Sequence, residues 1–290
     1  MPPASDSRPV ESPALVPDGW YPDPARQFTL RWWEHGDWTA WVSTSGQSLE
    51  RPLPERRTSP RLATIPTRAV LWGVLGAVAA TVAAGVAALA VEPVAGSLIA
   101  AQVALYGVLM LTVWLVSRRY GTGNLVADIG LRSRWIDVAG GLAAAVAARL
   151  VGVALVIFVL FVTDAGSDVT GNQFDAFESS DAAVAIALVL AVTTAPLFEE
   201  IYFRGFLQQA LASRLGTSVA VVAQAVMFGA VHMSADNGTT QNLILLTVTG
   251  AAGLVFGFAF WVTKRLGTNI IAHALFNSVA VVVIIVQRWG

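Results

Sequence analysis

From Ala69 to the C-terminus the chain alternates long apolar runs with short polar gaps, and several of these runs reach the ~20 residues needed to cross a hydrocarbon core. Seven spans are predicted, at Ala69–Val91, Val94–Val116, Ile136–Val162, Ala182–Phe206, Ser218–Met233, Asn242–Thr263 and Thr268–Val286, and Pro196 leaves room for an eighth helix or a re-entrant segment. Composition agrees: 13% of the 290 residues are charged and the mean hydropathy is +0.63, against roughly 25% charged residues in ordinary globular proteins. The expected fold is an all-α polytopic membrane protein of about seven transmembrane helices carrying a small N-terminal β-hairpin module.

Charge placement orients the spans. The stretch 117–135 carries Arg118, Arg119, Arg132 and Arg134, whereas 163–181 carries Asp164, Asp168, Asp175, Glu178 and Asp181 with no basic residue. By the positive-inside rule the first is cytosolic. Arg56, Arg57, Arg61 and Arg68 before the first span, Arg214 after the fourth and Lys264-Arg265 after the sixth agree. The chain is thus expected to be a multi-pass protein of the cell (plasma) membrane with its N-terminus in the cytosol. A net charge of −1 gives no argument for nucleic acid as a partner. The lipid bilayer is the partner that composition demands.

The N-terminal 66 residues read differently. Residues 1–17 and 44–66 are rich in Pro, Ser and Arg and offer little apolar surface to offset ordering entropy, so they are predicted to be disordered and a flexible linker, respectively. Between them, residues 18–43 hold Trp20, Trp32, Trp33, Trp38 and Trp41 with Gly and Asp at the expected turn, the pattern of a small β module. The remainder, 67–290, is the transmembrane helical domain.

Inside the apolar spans a few polar residues stand out. Glu199, Glu200 and Arg204 lie in the fourth, where an unpaired charge is costly. Glu200 and Arg204 are four apart, share a helical face and can form an ion pair. Glu199 is rotated about 100° from Glu200 and stays free for other work. The turn between spans four and five falls near Leu215-Gly216, so an antiparallel pair brings Glu199 and His232 to the same depth. Phe228 lies one turn before His232, and His273 and Asn277 share a face in the last span. Arg149, near the middle of the third span, wants an acidic partner, for which Glu199 and Glu200 are candidates.

With no cysteine in the chain, thiol nucleophiles and thiolate metal sites are excluded. A carboxylate beside an imidazole can take a proton from water. A second imidazole and an Asn amide can donate to the oxyanion that forms when water attacks a carbonyl. The groups therefore suit amide hydrolysis with no cofactor. Two histidines and a glutamate also suffice for zinc, although no His-Glu-x-x-His is present. A non-catalytic peptide-binding adaptor or immunity protein is the reading from another class.

At these positions the sequence resembles the CPBP family of intramembrane proteases, which includes the CAAX prenyl endopeptidases of the Rce type and the bacterial Abi proteins. The resemblance covers roughly Ser133 to Gln287 and rests on Glu199-Glu200-x-x-x-Arg204-Gly205, Phe228-x-x-x-His232 and His273-x-x-x-Asn277. It implies a membrane endopeptidase with a cavity open to the cytosol, acting on a peptide or membrane-protein substrate near the cytosolic membrane face. Glu199 and His232 would activate water, His273 and Asn277 would form the oxyanion hole, and Glu200, Arg204 and Phe228 would organise the site. The N-terminal segment, with Gly19-Trp20-Tyr21-Pro22-Asp23-Pro24 and Leu30-Arg31-Trp32-Trp33, resembles a short Trp-rich domain of unknown function at the N-termini of actinobacterial membrane proteins.

Overall fold

A computed structural model describes residues 17–23, 28–35, 37–50, 67–163, 180–234 and 237–289, and the chain divides into two compact units, Met1–Ser59 and Pro60–Gly290.

The N-terminal unit is a four-stranded antiparallel meander, β1 (Gly19–Pro22), β2 (Leu30–Glu34), β3 (Asp37–Thr44) and β4 (Gln47–Glu50), in the spatial order of the sequence. The sequence pattern anticipated a hairpin ending at residue 43, and β4 lies in what was assigned to the linker. The reason is a two-residue turn at Ser45 and Gly46, both at positive φ (55° and 80°), the backbone hand that matches strand twist and that glycine adopts without strain. Cross-strand rings hold the sheet: Trp33 meets Trp38 edge-on at 5.0 Å, and Trp20 meets Trp32 at 5.4 Å. Beneath them Arg31 and Asp23 form a fully buried ion pair at 2.8 Å. The assigned disorder of residues 1–16 and the stretch 51–66 of the expected linker lie outside the described residues.

The second unit is helical: α1 (Thr67–Ala90), α2 (Val94–Tyr120), the single turn α3 (Leu125–Asp128), α4 (Ile136–Thr163), α5 (Asp181–Val192), α6 (Thr194–Glu200), a π-helix (Ile201–Gln208), α7 (Gln209–Leu215), α8 (Thr217–Ala230), α9 (Thr239–Thr263) and α10 (Leu266–Trp289). Among the described residues six stretches are long and apolar enough to cross a membrane, one of them the continuous segment Asp181–Leu215. The protein is a multi-pass membrane protein. The fifth expected span is the exception, since α8 has only 14 residues, about 21 Å of helix against a core of about 30 Å. It stops early for a local reason. His232 Nδ1 bonds the Phe228 carbonyl at 2.6 Å, the acceptor the next helical turn would need, and the His232 amide bonds Gly229 O instead.

The long fourth span is not one regular helix. Pro196 lacks an amide hydrogen and its ring crowds the carbonyl four residues back, and the break between α5 and α6 falls at Thr193, next to that carbonyl's residue, Val192. Beyond Glu200 the chain widens into π geometry for eight residues, a form that is rare and frequent at functional sites. Two glycines permit the close approaches around it. A Cβ on Gly205 would meet Ile129 Cβ at 3.0 Å and its carbonyl at 3.1 Å, and one on Gly253 would meet Ala225 Cα at 2.9 Å. Small residues let helix backbones touch where no hydrophobic force between helices operates. One buried core takes in Ile129, Phe203, Phe206, Leu207, Phe260 and Leu266 together with Tyr106 and Phe228.

Candidate active site

The buried pair comes first. Arg204 Nη1 donates to Glu200 Oε1 at 2.8 Å with both side chains fully buried. Three rings surround the guanidinium, Phe228 at 4.4 Å, Phe256 at 5.5 Å and Phe203 at 5.9 Å, and cation–π attraction strengthens where water is excluded. Glu200 gathers two further donors, His273 Nδ1 at 3.0 Å onto Oε1 and Asn269 Nδ2 at 3.2 Å onto Oε2. Asn269 was not singled out from the sequence. Its Nδ2 also donates to Phe256 O at 2.7 Å, tying α9 to α10 through the same amide that holds Glu200. The signal available was its position four residues before His273, one helical turn away on the same face.

These bonds fix proton positions. An ionised Glu200 can only accept, so Nδ1 of His273 carries a hydrogen. Nε2 of the same ring lies 3.9 Å from Glu199 Oε2, and it acts as a donor only when the ring is an imidazolium. In His232 the hydrogen likewise sits on Nδ1, because the Phe228 carbonyl is an acceptor. Nε2 of His232 is left as a lone-pair site.

Glu199 is held differently from its neighbour. Tyr106, buried on α2, donates its hydroxyl to Glu199 Oε1 at 3.1 Å, and the Tyr106 ring stacks on Phe198 at 5.0 Å. Glu199 Oε2 is buried with no hydrogen-bond partner among the described residues. Tyr106→Phe removes the donor that aims the carboxylate, and a hydrogen bond to a charged group contributes about 1.5–3 kcal/mol. Turnover by membranes carrying Tyr106→Phe is expected to fall roughly 10–100-fold with the protein level unchanged; full turnover would show that Tyr106 does not position Glu199.

A cavity of about 410 Å³ joins these groups and is lined by Gln102, Tyr106, Glu199, His232, His273 and Asn277 among others. The four residues assigned to chemistry from the sequence thus border one space, as antiparallel counting anticipated for Glu199 and His232. Asn277 Nδ2 donates one hydrogen to Ala191 O at 2.8 Å and keeps a second. Phe228 is 2% exposed and faces His232, His273 and Arg204, not lipid. Arg149 departs from expectation. Its Nη2 bonds Phe276 O at 2.6 Å and its guanidinium stacks 4.1 Å over the Phe276 ring, so a backbone carbonyl and a π-face take the place of the glutamates.

The cavity runs one way from Glu199. Along α2 its lining residues are Leu98, Gln102 and Tyr106, all on the Val94 side, and along α5 and α6 they run from Ala187 to Glu199. It therefore extends away from the helix ends that carry Arg118, Arg119, Arg214, Lys264 and Arg265. For zinc, Glu199, His232 and His273 do not bring one donor atom each within 4.8 Å of one another; among the described residues Asp18, Glu34 and His35 do, all exposed on the N-terminal unit.

Residues 181–279 match the family model described as "Type II CAAX prenyl endopeptidase Rce1-like". The matched segment is an Rce1-like domain. It contains Glu199, Glu200, Arg204, Phe228, His232, His273 and Asn277, and the identification agrees with the CAAX protease resemblance seen in the sequence. A curated relative, "Putative membrane peptidase YdiL" of Bacillus subtilis (strain 168), is 33% identical over 100 residues, which cover 34% of this chain and 38% of that protein. No solved structure matches the chain. Arg149, the first two spans and the Trp-rich unit lie outside the Rce1-like segment.

Proposed function

We propose that the protein is a membrane endopeptidase that cleaves a peptide bond with water activated between Glu199 and His232. The observation that carries this reading is the single cavity that Glu199 shares with His232, His273 and Asn277. Support also comes from the Rce1-like segment, whose family is one of membrane endopeptidases, and from the peptidase named among its relatives.

In this mechanism a water donates one proton to Glu199 while its oxygen attacks the carbonyl carbon, with the His232 Nε2 lone pair holding the second hydrogen. The carbonyl oxygen becomes an oxyanion and accepts from the free Asn277 N–H and from His273 Nε2–H in the imidazolium form. Collapse breaks the C–N bond, and the proton on Glu199 passes to the leaving amine. Glu200, Arg204 and Asn269 hold the His273 ring, and Phe228 walls the site. No step draws on a metal. With the basic helix ends in the cytosol, as the positive-inside rule has it, the N-terminus is cytosolic in the cell membrane. The site then lies inside the bilayer, deeper than the cytosolic face that the family resemblance implied.

The test is a mass-spectrometric survey of new peptide termini in native membranes, wild type against Glu199→Ala at matched levels. Termini that require the wild type are expected. Identical termini, with the phenotype still rescued by Glu199→Ala, would leave the peptide-binding adaptor as the function.

A further inference from the structure

A hollow of about 640 Å³ lies between α1 and α2 and shares no lining residue with the cavity of Glu199. Trp72, Leu75 and Ala79 line it from α1, and Val108, Leu115 and Arg119 from α2. Trp72 and Leu75 are each 58% exposed and Leu115 51%, on two helices long and apolar enough to cross a membrane. The hollow is therefore an outer groove that faces lipid. Its polarity is one-sided. Arg119, in the last turn of α2, stands at one end with its guanidinium 5.3 Å from the Tyr120 ring. Toward Val108 and Ala79 the lining is apolar apart from Thr112, whose hydroxyl is taken up by the Val108 carbonyl at 2.9 Å.

Length identifies the occupant. Eleven residues separate Arg119 from Val108 on α2, about 16 Å of helix, which is one leaflet of a hydrocarbon core about 30 Å thick. Trp72, only five residues into α1, lines the same groove as Arg119 and Tyr120, near the membrane boundary where tryptophan is favoured. A cation, then an indole, then an apolar wall one leaflet deep follow the order of phosphate, glycerol esters and acyl chain in a lipid. We infer that the groove binds one anionic phospholipid of the leaflet at the arginine-bearing helix ends, its phosphate on Arg119 and one acyl chain between α1 and α2. Arginine pairs with phosphate through two parallel N–H bonds, and a net negative head lets that pairing select among lipids. The lipid braces a helix pair that holds the site from behind. Tyr202, two residues after Glu200, donates to Gly73 O on α1 at 2.9 Å, and Tyr106 on α2 donates to Glu199. Lipid binding here stands whether or not the protein is a protease.

The test titrates the full chain, stripped of lipid in detergent, with phosphatidylglycerol or with phosphatidylcholine of the same acyl chains. Bound lipid is counted by native mass spectrometry, and thermal unfolding is followed in parallel. Wild type is expected to bind one phosphatidylglycerol about fivefold more tightly than phosphatidylcholine, the ratio that about 1 kcal/mol from one arginine near the membrane surface gives, and to unfold at a higher temperature with it. In Arg119→Gln, an exposed position, the two lipids should bind within about twofold of each other. Arg118→Gln should keep the preference, because the Arg118 guanidinium lies over Trp114 at 4.8 Å and outside the groove. Ala79→Trp fills the deep end from an exposed position and should abolish tight binding of either lipid; Leu75→Trp, on the same wall, decides the matter if that variant does not accumulate. Equal affinity of the wild type for the two lipids, or a preference that survives Arg119→Gln, overturns the proposal. So does phosphatidylglycerol binding untouched by either tryptophan.

Discussion

Glu199→Gln is expected to lower kcat/KM on the order of 10³-fold, within the range that a positioned general base contributes, while the protein accumulates and unfolds as the wild type does. The substitution keeps the size of the side chain and an acceptor for the Tyr106 hydroxyl, but an amide cannot take a proton from water. His232→Ala should cost a comparable factor, because it removes the lone-pair site that steadies the same water. The informative measurement is the double variant. Groups that act on one water as a unit are non-additive, so Glu199→Gln combined with His232→Ala should be no slower than the slower single. Losses that multiply would mean the two residues serve separate steps, and unimpaired cleavage by Glu199→Gln would end the carboxylate mechanism.

The second large effect concerns stability. Arg204→Met leaves Glu200 ionised and fully buried with His273 and Asn269 as its remaining donors. Breaking a buried pair from one side costs about 3–5 kcal/mol, whereas replacing both partners by neutral groups of similar volume is often close to neutral. Arg204→Met alone should therefore accumulate poorly and unfold at a markedly lower temperature in detergent. Adding Glu200→Gln should recover much of that loss, since the charge is gone and an amide oxygen in place of Oε1 still accepts from His273 Nδ1, although the amide nitrogen in place of Oε2 no longer accepts from Asn269. Thermal unfolding of the singles and the double closes the cycle. Additive destabilisation would show that the two side chains are held independently and that the 2.8 Å contact contributes little.

How far the sequence reaches is visible residue by residue. The Glu200–Arg204 pair needs only i,i+4 spacing and survives in the structure even though the backbone there is π-helical. The shared cavity of Glu199 and His232 needs only a turn near Gly216 and equal rise on both sides, and α7 does end at Leu215. The role of Tyr106 was out of reach. It lies 93 residues from Glu199 in the chain, and nothing in its local pattern separates it from any other tyrosine on an apolar helix. The donation of His273 Nδ1 to Glu200 was equally invisible, since it depends on how α10 packs against α6. Arg149 failed by a plausible rule: an arginine within the membrane seeks an acceptor, and a nearby carbonyl and aromatic face served as well as a carboxylate.

The sequence by itself determined that the chain is a helical membrane protein, where most of its helices run, and which side chains are too polar to be in the membrane without work to do. Those follow from the cost of placing polar groups in hydrocarbon, which acts on every residue separately. Tertiary structure decided the rest: the Tyr106 donor to Glu199, the tautomer of His273, and the direction in which the cavity opens. Hydrogen bonds select partners over a few tenths of an ångström, and such distances exist only once helices far apart in the chain have packed.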